Sequence, residues 1–417
     1  MTFKRRTFLR GAGALAATAL ASGAYAQTVL DEILNAPKRG SWNNGFDTKA
    51  SGGATVASNL PIFSPETGSF VEQAMAQYNG LVQNGGWPVV PATKKLKIGV
   101  IEPEVEILRR RLMISGDLST SAGISPAFDS YVDTAVKRFQ ARHGLPSDGV
   151  MGQHTYAAMN VSAPIRLAQL ETNLVRLQSM AGFLGDRFVM VNIPAAEIEA
   201  VENGRVILRH TAVVGKIDRQ TPILNSKINE IIVNPYWNAP ESIVRKDIIP
   251  LMRENPNYLT ENNIRLLAPN GDEVDPLTID WSTEEAAKLR FRQDPGKINA
   301  MASVKINFPN SHAVYMHDTP QQSLFNDLDR FFSSGCVRVQ NVRDLVTWLL
   351  RDTEGWSRQR FEQAIKTGES TPVALADPVP VYFTYVSAWS TGDGVVHFRD
   401  DIYARDGIEE LQLSSTL

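Results

Sequence analysis

The sequence predicts a multidomain α+β protein, in which a small three-helix module precedes a mainly β domain carrying an inserted subdomain. Three observations predict this. Apolar residues recur at helical spacing between about Lys97 and Asn160, as Val105, Leu108 and Leu112 and again as Ala135, Val136 and Phe139. Period-two runs with tight turns begin at Arg187, as Arg187–Pro194 and Arg205–His210 around the Asn203-Gly204 turn. That pattern breaks between Asn238 and about Ala302, then resumes at Ser303–Phe308. A chain of 417 residues has room for two or three such units.

In chain order, residues 1–26 read as an export signal. Lys4-Arg5-Arg6 is followed by an Ala- and Gly-rich apolar run and by Ala24-Tyr25-Ala26, an A-x-A cleavage site giving a mature start near Gln27. The paired arginines resemble a twin-arginine signal, which predicts the periplasm of a Gram-negative bacterium and no membrane span after cleavage. Removing residues 1–26 would take the net charge from −3 to −7. Residues 27–96 form an N-terminal scaffold region. It is read as a poorly packed lead-in with one helix after Ser64-Pro65-Glu66, carrying Val71, Met75, Tyr78 and Leu81 on one face. Residues 97–161 form the helical module, with Tyr131 among the expected core residues of its second helix and His143 and His154 at turns. Residues 162–185 form an amphipathic connecting helix. The mainly β domain spans 186–350, with its insertion at about 238–302. Its strands include Thr211–Lys216, Ile228–Asn234, Ala313–His317 and Cys336–Val339, and Asn341 is expected to cap a helix through Leu350. Residues 351–417 form a C-terminal extension with one strand-like run, Val379–Tyr385, and a hairpin around Thr391-Gly392-Asp393-Gly394.

Composition excludes several function classes. A slight net negative charge gives no electrostatic case for nucleic acid or an anionic membrane. One cysteine forbids an internal disulfide and a cysteine-rich zinc site. His210, His312 and His397 lack metal-ligand spacing, and no Gly-rich phosphate loop follows a strand. No metal or organic cofactor is expected.

The single cysteine, Cys336, admits two readings: a small buried hydrophobe, or a reactive thiol. Export favours the second, because an unpaired cysteine in an exported protein is unusual. His317 lies nineteen positions upstream at a strand end, while Gly335-Cys336 opens another strand, so the two can meet in space. An imidazole can activate a thiol as nucleophile. Gly335 lets a substrate carbonyl approach the backbone, and the Gly335 and Cys336 amides could form an oxyanion hole. Arg338, two residues on, shares the strand face of Cys336 and could bind a carboxylate. Spacing alone leaves the structural reading open.

Two resemblances extend this. Asp133–Leu145 with Asp148-Gly149-Val150-Met151-Gly152 resembles the peptidoglycan-binding domain 1 family, which implies a wall-binding role for the three-helix module. Tyr315-Met316-His317-Asp318-Thr319-Pro320, Arg330–Val339 and Asn234-Pro235-Tyr236-Trp237 resemble the YkuD-type L,D-transpeptidase motif, in its YcbB-like branch. Most YkuD motifs carry a second histidine where this chain has Ser334, so that histidine's role does not transfer. The resemblance implies Cys336 as nucleophile and His317 as general acid/base. It implies Gly335, Ser334, Arg338, Tyr315 and Trp237 for oxyanion and substrate binding, and a substrate-capping insertion. The implied reaction forms a thioester with a tetrapeptide donor stem and resolves it with a diaminopimelate amine, giving 3→3 cross-links. Implied partners are peptidoglycan stem peptides and glycan, with carbapenems as covalent inhibitors. The alternatives are an L,D-carboxypeptidase or endopeptidase, a lipoprotein-tethering enzyme, and a non-catalytic wall-binding protein.

Overall fold

A computed structural model describes residues 59–180, 184–408 and 411; the expected export signal and the first part of the scaffold region lie outside them. The first helix, α1 (Thr67–Gln83), buries Val71, Ala74 and Tyr78 and ends where Gly85 and Gly86 turn to φ of 87° and 74°. Ile62, Phe63 and this helical face join one core with Leu170, Leu177, Trp389 and Phe398. The lead-in from residue 59 onward is therefore well packed, contrary to expectation.

Helices α2 (Glu104–Ile114), α3 (Ser130–Arg142) and α4 (Gln153–Asn160) form the expected module around Val105, Leu108, Leu112, Val132, Val136, Phe139 and Met159. Asp129 caps α3 by accepting the Tyr131 and Val132 amides. That start puts Val132 in the core and leaves Tyr131 67% exposed, so Tyr131 is not a core residue. His143 is structural: buried, with Nδ1 bonded to the Phe139 carbonyl and its ring stacked on Phe139. The connecting helix α5 (Ala163–Met180) packs Leu170 and Leu177 against the α1 core. Its buried polar side meets the C-terminal extension, where Gln169 donates to the Arg399 carbonyl (2.9 Å) and Asn173 to the Ser387 hydroxyl (2.8 Å).

The β domain begins with β1 (Arg187–Asn192), β2 (Glu197–Glu202), β3 (Arg205–Gly215) and β4 (Leu224–Val233). Asn203 and Gly204, both at positive φ, make the β2–β3 turn. Strand β2 escapes a hydrophobicity reading because Glu197, Glu199 and Glu202 interrupt it. Glu199 is buried, paired with Arg209 (2.6 Å) and bonded to the Ile62 amide (2.9 Å). The stretches Arg205–His210 and Thr211–Lys216 are one bent strand rather than two. An inserted subdomain follows, holding β5 (Trp237–Asn238), β6 (Ile264–Leu267), β7 (Glu273–Val274) and β8 (Arg290–Gln293). Then come β9 (Val304–Asn307), β10 (Met316–His317), β11 (Phe331–Ser333), β12 (Val337–Val339), β13 (Thr371–Thr384), β14 (Ala388–Ser390) and β15 (Val396–Phe398).

Among the described residues, nine strands form one sheet in the order β11-β3-β12-β10-β9-β4-β13-β1-β2, and β2 pairs back onto β3, closing it on itself. Inside lie Ile231, Ile306, Met316 and Val337. Strand β13 sits between β4 and β1, so the sheet does not end at Leu350 and the first part of the presumed extension is integral to it. Its prolines hid this. Pro372 lies where β13 pairs with β4 alone, Pro378 falls in the register break between Ala374 and Val379, and Pro380 immediately precedes the β1 pairing at Val381. A ten-residue helix, Arg358–Thr367, also went unread, since it buries only Phe361 and Ile365. Asn341 precedes the helix Val342–Leu349 as expected, but it adopts φ 50° and its side chain makes no cap bond.

The insertion is ordered. It forms a four-stranded sheet, β5-β8-β6-β7, around Trp237, Ile248, Leu259 and Phe291. Its helical run comprises Glu241–Ile243, a π-helical turn Val244–Ile248 and Ile249–Glu254. Pro250 has no N–H to close an α-type bond to Lys246, which accounts for the wider turn before it.

Candidate active site

Strand pairing assembles the site. On the parallel pair β10–β12, Met316 lies beside Val337 and His317 beside Arg338; on the antiparallel pair β9–β10, His317 lies beside Lys305. Side chains alternate, so Met316 and Val337 enter the closed core, and Lys305, His317 and Arg338 occupy the other face. Tyr315 and Cys336, two residues back along their strands, share that face. Tyr315 in turn packs against the core of the insertion, which covers this side of the sheet. The structure thus brings His317, Cys336, Tyr315, Arg338 and Trp237 together, with Ser334 and Gly335 on the turn before the thiol.

His317 is buried, and its Nδ1 lies 2.5 Å from the Asp318 carbonyl oxygen. A carbonyl only accepts, so Nδ1 carries the proton and Nε2 is the basic nitrogen. Burial, then the charges of Arg338 and Lys305, lower its pKa to about 3, which keeps the ring neutral. The Asp318 carboxylate is held by the Ser303 hydroxyl (2.5 Å) and the Thr319 amide (2.8 Å), which fixes the peptide whose carbonyl orients His317.

Cys336 is partly buried, and burial pushes its thiol above the ordinary value. The Tyr315 amide and hydroxyl, both donating to the sulfur, oppose that rise, as do the Lys305 and Arg338 charges. Burial also raises the Tyr315 phenol well above its usual range, and the Trp237 indole bonds to it. Tyr315 thus stands between the insertion's core and the thiol's strand. The resting pair is thiol and neutral imidazole.

The preceding turn is tightly braced. Gly335 has φ 110°, a conformation that side chains rarely adopt. Its carbonyl accepts from Thr221 Oγ1 (2.9 Å), and its amide donates to Ser333 Oγ (3.1 Å). The Gly335 amide is thus turned into the loop, which leaves the Cys336 amide as the oxyanion candidate of that pair. Ser334 Oγ accepts from Arg219 Nη1 (2.9 Å). Arg338 is only 1% exposed and donates to Gln321 Oε1 (2.8 Å), so it lies beneath the site and not open to a substrate carboxylate.

Sequence reading missed Lys305, whose Nζ sits 4.3 Å from the centre of the Tyr315 ring, and Arg219, which pairs with Asp247 of the insertion. Lys305 had one available signal, its place in an alternating strand. Its register against His317 is a tertiary fact.

Residues 186–380 match the YkuD family, described as the L,D-transpeptidase catalytic domain, and residues 102–159 match a family described as "Putative peptidoglycan binding domain". A curated relative from Haemophilus influenzae, named "Putative L,D-transpeptidase", is 37% identical over 239 residues, which is 57% of this chain and 48% of the relative. The match therefore spans about half of that protein's length. Among solved structures, an L,D-transpeptidase from Xylanimonas cellulosilytica is 17% identical, covering 70% of this chain and 99% of that one, with a TM-score of 0.23. L,D-transpeptidase 3 from Mycobacterium tuberculosis, solved in complex with a faropenem-derived adduct, is 12% identical, covering 48% of this chain and 60% of that one, with a TM-score of 0.23. Residues 186–380 are thus similar to the YkuD family's L,D-transpeptidase catalytic domain, and residues 102–159, ahead of them, to a peptidoglycan-binding module.

Proposed function

We propose that this protein is a peptidoglycan L,D-transpeptidase with Cys336 as nucleophile and His317 as general acid/base. The observation that carries the reading is the β10–β12 pairing, which sets an imidazole with a free basic Nε2 and the chain's sole thiol on one face under a covering insertion. His317 Nε2 takes the thiol proton as the sulfur attacks the carbonyl of diaminopimelate in a tetrapeptide donor. In this reading the Cys336 amide and the Tyr315 hydroxyl hold the developing oxyanion, a role in which one donor is typically worth about 3–4 kcal/mol. The imidazolium then protonates the departing amine and D-alanine leaves, giving a thioester on Cys336. The side-chain amine of an acceptor diaminopimelate loses its proton to His317, attacks the thioester and regenerates the thiol, completing a 3→3 cross-link.

The YcbB-like motif and the large insertion support a peptide acceptor over water or a lipoprotein lysine. The helical module would hold the enzyme on the wall, and the basic N-terminal segment supports twin-arginine export to the periplasm. The same thiol chemistry predicts acylation of Cys336 by carbapenems. Incubation with purified tetrapeptide muropeptides should yield cross-linked dimer and free D-alanine, and Cys336→Ala should abolish both. Undiminished dimer from that variant would refute the assignment.

A further inference from the structure

The insertion is fastened to the nucleophile's turn through one arginine. Arg219 Nη1 and Nη2 grip the Asp247 carboxylate at 2.6 and 3.0 Å, and Nη1 also donates to Ser334 Oγ at 2.9 Å. The ion pair is largely withdrawn from water, with side chains 11% and 4% exposed, so little solvent screening weakens it. Asp247 lies in the π-helical turn ahead of Pro250, while Ser334 stands two residues before the thiol.

The loop beneath Arg219 is braced on several sides. Its loop follows Gly215, where a Cβ would strike the Arg219 carbonyl at 2.3 Å, so the backbone lies hard against the sheet. Thr221 Oγ1 accepts from the Gly215 amide (2.8 Å) and donates to the Gly335 carbonyl (2.9 Å). Arg405 from the C-terminal extension holds the Gln220 side chain (2.7 Å), and Tyr403 donates to the Gly215 carbonyl. From this braced loop one side chain reaches both the cap and the nucleophile's turn.

We propose that Arg219 is a positioning residue that couples the cap to the nucleophile, so that release of Asp247 when the cap lifts also frees the Ser334–Cys336 turn. A stem-peptide donor must displace the cap to reach a partly buried sulfur. The bridge makes the turn reach its ordered form only when the cap closes again. In this scheme Asp247 is the sensor and Ser334 Oγ the contact through which the turn is held. A serine at 334 fits that role, because a hydroxyl can accept from the guanidinium.

The test uses the full chain without substrate, so its outcome is separable from the transpeptidase reading, which it presumes only for the purpose of the scheme. Amide hydrogen exchange over 241–254 and 333–337, and the rate of Cys336 alkylation by iodoacetamide, are measured in the parent, Asp247→Asn, Arg219→Lys and Ser334→Ala. Asp247→Asn is isosteric and should speed exchange in both segments and accelerate alkylation about tenfold, leaving 102–159 unchanged. Arg219→Lys, which loses the two-pronged grip, should fall between that variant and the parent. Ser334→Ala should loosen only 333–337. Faster exchange confined to 241–254 with unchanged alkylation, or no change in either segment, would overturn the coupling.

Discussion

Lys305 is the residue whose effect on the thiol is most easily isolated. Its ammonium lies over the Tyr315 ring, and its charge opposes the burial that raises the Cys336 pKa. Lys305→Met removes that opposition, so the alkylation rate against pH should shift to higher pH and fall several-fold at neutrality; Lys305→Arg should restore it. An unshifted profile in Lys305→Met would exclude an electrostatic role. Cys336 and His317 were legible in the sequence because rare residue types stood in a long motif. Lys305 and Arg219 were not, being common residues in other segments that only register and loop closure bring to the site. Arg338 shows the opposite error: strand alternation correctly placed it on the thiol's face, but burial against Gln321 changes what it can bind.

At the scale of elements, the Ser333–Cys336 turn is held by Gly335 at φ 110° and by bonds from Thr221 and to Ser333. Gly335→Ala forces a Cβ into φ 110° and should cost about 1–3 kcal/mol, lowering the unfolding midpoint and turnover together. A variant with parent-like stability and activity would mean the turn can relax to an ordinary conformation. The helices of the module and the hairpins with Asn-Gly or Asp-Gly turns were readable from local pattern, since their signals are local. Strands β2 and β13 were not. One carries a buried glutamate whose partner, Arg209, lies across the hairpin, and the other carries prolines that stand outside its β1 pairing, where only β4 lies alongside or the register breaks. Both cases depend on what lies alongside the strand, which a single sequence does not display.

For the whole molecule, the module and the C-terminal extension share an interface. Arg142 donates to the Val396 carbonyl, Arg399 donates to the Arg142 carbonyl, and His143 stacks on Phe398. Burial leaves His143, His210, His317 and His397 with pKa values below the usual histidine range, two of them at about 4 and about 3. For each, the folded pKa lies under the unfolded value of about 6.5, so its contribution is present above that pH and is lost as pH falls through the folded pKa. Glu199, raised to about 7, and Asp318, raised to about 6, act in the other direction, favouring the fold below about pH 4.5 and losing that contribution as pH rises through their folded values. Burial raises the Asp406 carboxyl as well, and four histidines against three such carboxyls predict a shallow loss of stability from about pH 6.5 to 4.5 and a steeper one below. Denaturant unfolding followed across that range checks it, and constant stability down to about pH 4 would show that the histidines take up protons in the folded state.

The most direct measurement is the intact mass of the protein during incubation with a purified tetrapeptide donor and no acceptor. An adduct equal to the donor less D-alanine is expected, located on Cys336 by peptide mapping and absent in Cys336→Ala. Its removal on adding a diaminopimelate-containing acceptor should coincide with the appearance of cross-linked product. Release of D-alanine or formation of dimer with no adduct at Cys336, or undiminished in Cys336→Ala, would contradict it.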